Sequence, residues 1–325
     1  MSFSRLYHPK TSFAFLFLVL SSFARGDDDP FTKRATPPVV GSWDLTVHGI
    51  DGDYPSWFEV RESGYRTLVG KFVGRVGSAR PISRVEFENG RVHFSVPPQW
   101  EKRTDDQHVE GRLESDLLRG ETTDEKGRRV PWEGHRAPSL ARANPPRWGE
   151  PVELFNGRDL SGWKPRNAGA KNGWLARDGM LANAEPGNDL LSEQKFTDFK
   201  VHAEFRYPKG SNSGIYLRGR YEVQIEDNFG AEADSHHIGG IYGFLTPISN
   251  AAKKPGEWQT VDITLVGRAV TVVLNGQEII TRQAIPGITG GALESDEAAP
   301  GPIILQGDHG PVEFRKLILT PSLAE

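Results

Sequence analysis

The sequence predicts an all-β protein built from two β-rich regions, and three observations carry that prediction. Short runs alternate apolar and polar residues with the period of two that places successive strand side chains on opposite faces. Glycine and proline are plentiful, at 36 and 23 residues, as expected where many turns join short strands. Two Asn-Gly pairs, Asn89-Gly90 and Asn275-Gly276, lie between alternating runs and signal two-residue hairpins.

The 325 residues are enough for about two domains. The formal net charge of −4 favours neither nucleic acid nor an anionic membrane as a partner. With no cysteine in the chain, disulfides, thiolate metal sites and a cysteine nucleophile are excluded. At the N-terminus Arg5 and Lys10 precede an apolar run at residues 11–24 (TSFAFLFLVLSSFA), and Ser22, Ala24 and Gly26 supply small residues. This pattern predicts a signal peptide over residues 1–26, hence a periplasmic or secreted protein that is free of the membrane after cleavage.

A first β-rich region is expected over residues 39–136. Its strands are GSWDLTVHG, SWFEVRES, YRTLVGKFVG, SRVEFENGRVHFSV, HVEGRLESDLLRGETT and RVPWEGHR. Consecutive hairpins without a helical pattern fit an up-and-down barrel or a small sandwich. Gly41-Ser42-Trp43 resembles the glycine-x-tryptophan entry of lipocalin-like barrels. The histidines of this region, His48, His93, His108 and His135, are scattered and form no catalytic pattern, so the region is left without a function. Residues 137–151 (APSLARANPPRWGEP) read as a linker. The second region, residues 152–321, contains about a dozen short strands, among them FKVHAEFRYP, WQTVDITLVG and AVTVVLNGQEIITR. That number of strands fits a two-sheet jelly roll similar to the concanavalin-A-like lectins and glucanases, in which one sheet is concave and binds sugars.

The chemistry-bearing residues concentrate between Ser211 and Gly243. In SNSGIYLRG, Gly214, Tyr216 and Arg218 share one predicted strand face. In YEVQIED, Glu222, Gln224 and Glu226 share another. A sheet face that combines Tyr, Arg, Glu and Gln suits a polyhydroxylated ligand, and the pair His236-His237 follows in a glycine-rich turn.

Six motifs in order, LFNGRDLSGW, GWLARDGML, SNSGIYLRG, YEVQIED, HIGGIYG and LQGDHGPVEFRKL, resemble the 3-keto-disaccharide hydrolase domain family over residues 152–321. The resemblance implies a jelly roll, export, and cleavage of glycosides oxidised at C3 of the sugar. The ketone of such a sugar acidifies the proton at C2 and leaves the glycosidic oxygen β to the resulting carbanion. Cleavage then needs a base at C2, donors or a cation on the ketone oxygen, and an acid for the leaving oxygen. Against that requirement His237 is the preferred base or acid, with His236 as its rival, and Arg218 and Glu222 complete the catalytic candidates. Asn212, Tyr216, Gln224, Asp227, His236, Tyr242 and His309 are the substrate-binding candidates, and Asp308 accompanies His309 in the QGDHG turn. His237, Glu222, Asp227 and His309 are also suitable ligand types for a divalent cation, although no compact ligand motif is present.

Two other functions compete with this reading. Glu222-x-Gln224-x-Glu226 imitates the alternating carboxylates of a retaining β-glycanase, which would lie about 6.6–6.8 Å apart per two residues, but the central aspartate is replaced by Gln224. A non-catalytic carbohydrate-binding module would need only Tyr216, Gln224 and Arg218.

Overall fold

The computed structural model describes residues 35–65, 67–99, 101 and 104–323. The predicted export leader at residues 1–26 lies outside the described residues. The described chain is all-β.

Eight strands form a closed antiparallel barrel: β1 (Gly41–Gly49), β2 (Gly52–Ser63), β3 (Thr67–Val73), β4 (Arg80–Glu88), β5 (Arg91–Val96), β6 (Gln107–Glu114), β7 (Leu117–Thr123) and β8 (Arg129–Arg136). Each pairs with its neighbour in sequence, and β1 closes on β8, which leaves no open edge. Asn89 and Gly90 both have positive φ, 51° and 75°, so this turn has the geometry that Asn-Gly favours between twisted strands. Inward residues such as Trp43, Phe58, Phe94 and Trp132 fill the barrel. At one end the Trp43 indole donates to the Val39 carbonyl, and the Arg136 guanidinium stacks 4.0 Å from the Trp43 ring. The glycine-x-tryptophan pattern therefore marks the place where the barrel is closed.

Residues 137–151 lie against the second region instead of spanning open solvent. Arg142 pairs with Asp198 at 2.6 Å, Leu140 is buried, and Trp148 bridges to Ser322.

The second region is a two-sheet sandwich with the concanavalin-A-like jelly-roll architecture. Its strands are β9 (Val152–Glu153), β10 (Trp163–Pro165), β11 (Trp174–Arg177), β12 (Met180–Asn183), β13 (Leu190–Ser192), β14 (Phe199–Arg206), β15 (Asn212–Leu217), β16 (Tyr221–Glu226), β17 (Gln259–Val266), β18 (Ala269–Leu274), β19 (Gln277–Ala284), β20 (Ile304–Leu305) and β21 (Val312–Pro321). One sheet runs β10-β13-β20-β15-β16, and the other runs β11-β12-β21-β14-β17-β18-β19, with β9 paired to β21. Phe199, Val201, Ala203 and Phe205 of β14 meet Ile215, Leu217, Tyr221, Val223 and Ile225 of the facing sheet in one core. Their polar alternates therefore point outward, and for β15 and β16 the outward set is Asn212, Gly214, Tyr216, Glu222, Gln224 and Glu226.

The barrel and the sandwich pack as one compact unit over residues 36–325. Trp57 and Val73 of the barrel belong to the sandwich core cluster. The Trp57 ring lies so close to the backbone of Gly287 that a methyl group there would be 2.3 Å from it, and Trp57 meets Phe244 edge-on at 5.5 Å. At the same junction Glu297 is fully buried, bound by Arg268 at 2.6 and 2.8 Å and by the Tyr221 hydroxyl. Burial pushes the neighbouring barrel residue Asp44 up to about 9, and the charge of Glu297 adds to that shift.

If this contact is part of the shared core, Trp57→Ala will destabilise the protein by about 3–5 kcal/mol, the range for deleting a buried large aromatic. Chemical denaturation followed by fluorescence checks this; a loss below about 1 kcal/mol would show that the barrel does not share the core.

Candidate functional site

The outward face of the five-stranded sheet is built from rows of residues contributed by remote strands. Strand pairing puts Tyr216 opposite Glu222 and Gly214 opposite Gln224. It also puts Ile304 beside Tyr216, and Leu191 beside Ile304. Paired residues share a face, so one row reads Leu191, Ile304, Tyr216, Glu222. Gln306, whose backbone N–H donates to the Gly214 carbonyl at 2.9 Å, lies in the adjacent row with Gln224.

Glu222 is the centre of this face and is only 3% exposed. Its carboxyl group lies over Gly214: a methyl group there would come within 2.4 Å of Glu222 Oε1. Only glycine leaves that space. The other oxygen, Oε2, is 2.9 Å from the Tyr216 hydroxyl. The backbone of Glu222 is held from two sides, by its N–H donating to Thr289 Oγ1 at 3.0 Å and by its carbonyl accepting from the Tyr242 N–H at 3.1 Å. Burial pushes the Glu222 carboxyl up to about 8, with Asp189 and Asp308 adding to the shift and Tyr216 and His309 opposing it. Burial likewise raises the Tyr216 hydroxyl well above its ordinary value.

Six other side chains belong to this face. His309 Nδ1 is hydrogen-bonded to Asp308 Oδ1 at 2.5 Å, which orients the ring, and Nε2 has no hydrogen-bond partner among the described residues. The Asp308 bond and charge raise the His309 imidazole above its usual range. Burial pushes Asp308 up, but the bond to His309, the charges of His309 and Arg166 and a backbone hydrogen bond together hold Asp308 low. Asp189 accepts from the Gly307 N–H at 3.1 Å and from Arg166 at 3.1 Å, and burial raises its carboxyl. Arg166 also donates to the carbonyls of Gly291 at 2.7 Å and Ala292 at 2.9 Å. Gln224 Oε1 and Gln306 Oε1 are buried acceptors without a donor among the described residues. A buried unpaired acceptor is costly, and a ligand hydroxyl would relieve that cost.

Several of the expected site residues belong here and others do not. Tyr216, Glu222, Gln224 and His309 converge. Tyr242 borders them; burial raises its hydroxyl and the charges of Glu222 and Glu226 add to that, while His236 packs edge-on against its ring at 5.1 Å. Arg218 does not join the face. The strand ends at Leu217, and Arg218 begins the turn with φ of 53°, which redirects its side chain. It is fully buried, donating to the Gly267 carbonyl at 2.7 Å and the Tyr221 hydroxyl at 3.2 Å, at the end of the inter-sheet core. Asp227 caps a turn by accepting from the Gly210 N–H at 2.7 Å. Asn212 is half-buried and pairs across the strands with Glu226. His237 Nδ1 is bound to the Glu232 carbonyl at 2.8 Å, and His236 to Asp234 at 2.7 Å. Both histidines lie toward the Glu226 end of β16, where their charges oppose the burial that raises Glu226. Asp189, Arg166 and Gln306 were not anticipated, because each reaches the face through pairing with β13 and β20, strands far away in sequence.

Of the four residues considered for a divalent cation, Glu222 and His309 share the face, whereas Asp227 caps a turn and His237 is bonded to the Glu232 carbonyl. Among the described residues no group of three or more His, Asp or Glu side chains is close enough to hold a metal ion.

A curated 3-keto-disaccharide hydrolase from Bacteroides thetaiotaomicron is 22% identical over 166 residues, covering 40% of this chain, and the chain spans 57% of that relative's length. A crystal structure of a Parabacteroides distasonis protein provisionally described as a glycosyl hydrolase is 30% identical, over 56% of this chain and 94% of that one, with a TM-score of 0.45. Z. galactanivorans LamA, solved with laminaritriose and laminaritetraose, is 12% identical over 54% of this chain and 98% of its own, with a TM-score of 0.35. The model of the 3-keto-alpha-glucoside-1,2-lyase-like domain matches residues 150–320, more than half of the sequence, and the chain belongs to that family.

Proposed function

We propose that the protein cleaves the glycosidic bond of 3-keto-glucosides at the Glu222 face. The observation that carries this reading is the pairing of a buried, proton-retaining carboxyl with an oriented histidine, in a domain of this family. Glu222 has its proton at neutral pH and suits the acid on the leaving oxygen. His309, oriented by Asp308, suits the base at C2. These roles differ from the preference for His237, which points toward Glu226.

In the reaction the His309 Nε2 lone pair takes the C2 proton, and the electron pair left behind forms the enolate with the C3 ketone. The enolate collapses to a C1–C2 double bond as the C1–O bond breaks, and Glu222 gives its proton to the departing oxygen. Water then adds its oxygen to C1 while Glu222 recovers a proton from it, and His309 returns its proton to C2. The sum is hydrolysis; release before the water step is a lyase reaction. Gln224 and Gln306 supply acceptors for sugar hydroxyls. The apolar N-terminal run supports export of this activity.

Incubating the protein with 3-keto-trehalose and, in parallel, with trehalose tests the reading: loss of the keto sugar alone is expected. Cleavage of unoxidised glycan would favour a glycanase, and binding without turnover a carbohydrate-binding module. His309→Asn and Glu222→Gln should each lower kcat/KM by about 10²–10⁴-fold, as removal of a general acid or base does. Wild-type rate in both variants would overturn the assignment. The pH profile should be a narrow bell. Its acidic limb should lie above the ordinary histidine value, because Asp308 raises His309 and the base must be neutral. Its alkaline limb should lie near pH 8, where Glu222 loses its proton. An alkaline limb that is unchanged in Glu222→Gln would remove Glu222 from the acid role.

A further inference from the structure

The barrel has no role in the reading above, yet its β3–β4 loop, residues 74–79, touches both segments that hold Glu222. One is the 289–292 segment. Gly290 lies against Gly77 so closely that a methyl group on Gly290 would be 2.1 Å from the Gly77 carbonyl oxygen. The next N–H, that of Gly291, donates to the Arg75 carbonyl at 2.9 Å. The other is the Tyr242-Gly243 turn, where a methyl group on Gly243 would be 2.8 Å from Ser78 Cβ.

The clamped segment presents the Gly290 carbonyl to the Tyr216 hydroxyl at 2.9 Å, and the same hydroxyl is 2.9 Å from Glu222 Oε2. A phenol has one proton and so can donate to only one of these acceptors. If Tyr216 donates to Gly290, its oxygen is left to accept, and the partner must be a carboxyl group that still has its proton. If Tyr216 donates to Glu222, Gly290 loses the only donor it has among the described residues. Both contacts are satisfied together only when Glu222 is protonated.

We propose that Gly77 of the barrel is a positioning residue for the catalytic proton: together with the Arg75 carbonyl it fixes the Gly290 carbonyl, which turns the Tyr216 hydroxyl away from Glu222 and withdraws a bond that would favour the carboxylate. The charged and titratable groups facing Glu222 are Tyr216 on β15, Asp308 and His309 between β20 and β21, Asp189 before β13 with its partner Arg166, Tyr242 beyond β16, and Glu226 on its own strand. None of these belongs to the barrel, so the loop acts through backbone geometry alone.

The proposal rests on Glu222 being the acid, but its test needs no substrate. The Glu222 carboxyl carbon is followed by ¹³C NMR across pH in the intact protein, with Glu222→Gln identifying the signal. Gly290 has an ordinary φ, so Gly290→Ala adds only a collision with the loop backbone at Val76 and Gly77. That variant should release Tyr216 to donate to Glu222 and lower its titration midpoint by about half a unit or more, about a threefold loss of proton affinity. In a Tyr216→Phe background the same substitution should leave the midpoint where it is. If Gly290→Ala does not fold, one glycine inserted after Val76 slackens the same clamp and should give the same pair of results. An equal shift in both backgrounds, or none in a folded variant, overturns the proposal. An unshifted Glu222 signal with loss of keto-sugar turnover in Glu222→Gln would sink this inference and leave the function standing, whereas the expected shifts without any turnover would do the reverse.

Discussion

The arrangement depends on one buried contact, the Glu222 carboxyl group seated over Gly214 and touching Tyr216. A carboxylate in that position would be a charge withdrawn from water with one hydroxyl for company, and the cost of that is lowered by retaining the proton. The surrounding structure supports this state. Gly214 leaves the space, Thr289 and Tyr242 fix the backbone, and Tyr216 connects the carboxyl to a carbonyl outside its own sheet. Asp189 and Asp308 keep further negative charge nearby, which works in the same direction.

The fold explains how such a site is assembled from short strands. The sandwich core takes the apolar half of each alternating strand, so the polar half of β15 and β16 is forced outward on the same side. Pairing with β20 brings in residues some ninety positions later in the chain, β13 brings in others about thirty positions earlier, and Arg166 ties Asp189 to the segment that roofs Tyr216. The barrel completes the roof from the other side, since Trp57 and the 74–79 loop press on the same segment. The barrel and the sandwich are thereby one unit, in which the barrel abuts the backbone beside Glu222.

Much of this was legible in the sequence where local chemistry decides the outcome. The Asn-Gly pairs between hairpin strands have turns with positive φ, and the alternation in YEVQIED placed Glu222 and Gln224 on one face, because β16 pairs with β15 without a register shift. Arg218 was misread because alternation was carried one residue past the strand end; the left-handed turn at Arg218-Gly219 reverses the pattern, and the glycine was the signal. The histidine pair attracted the base assignment by residue type and by its place in the HIGGIYG motif, whereas the histidine near Glu222 follows β20 and reaches it only through strand order. Arg166 and Asp189 offered no local signal at all. The glycine pair Gly290-Gly291 did, since adjacent glycines mark a close backbone approach, but the partner, Gly77, lies in the other β-rich region.

The most direct test is a crystal structure of the Glu222→Gln protein soaked with 3-keto-trehalose. The account predicts the sugar over Gly214, with its glycosidic oxygen within hydrogen-bond reach of the side chain at position 222 and its C2 facing His309. Density for the sugar on the barrel, on the outer face of the larger sheet, or at the His236-His237 turn with position 222 uncontacted would contradict it.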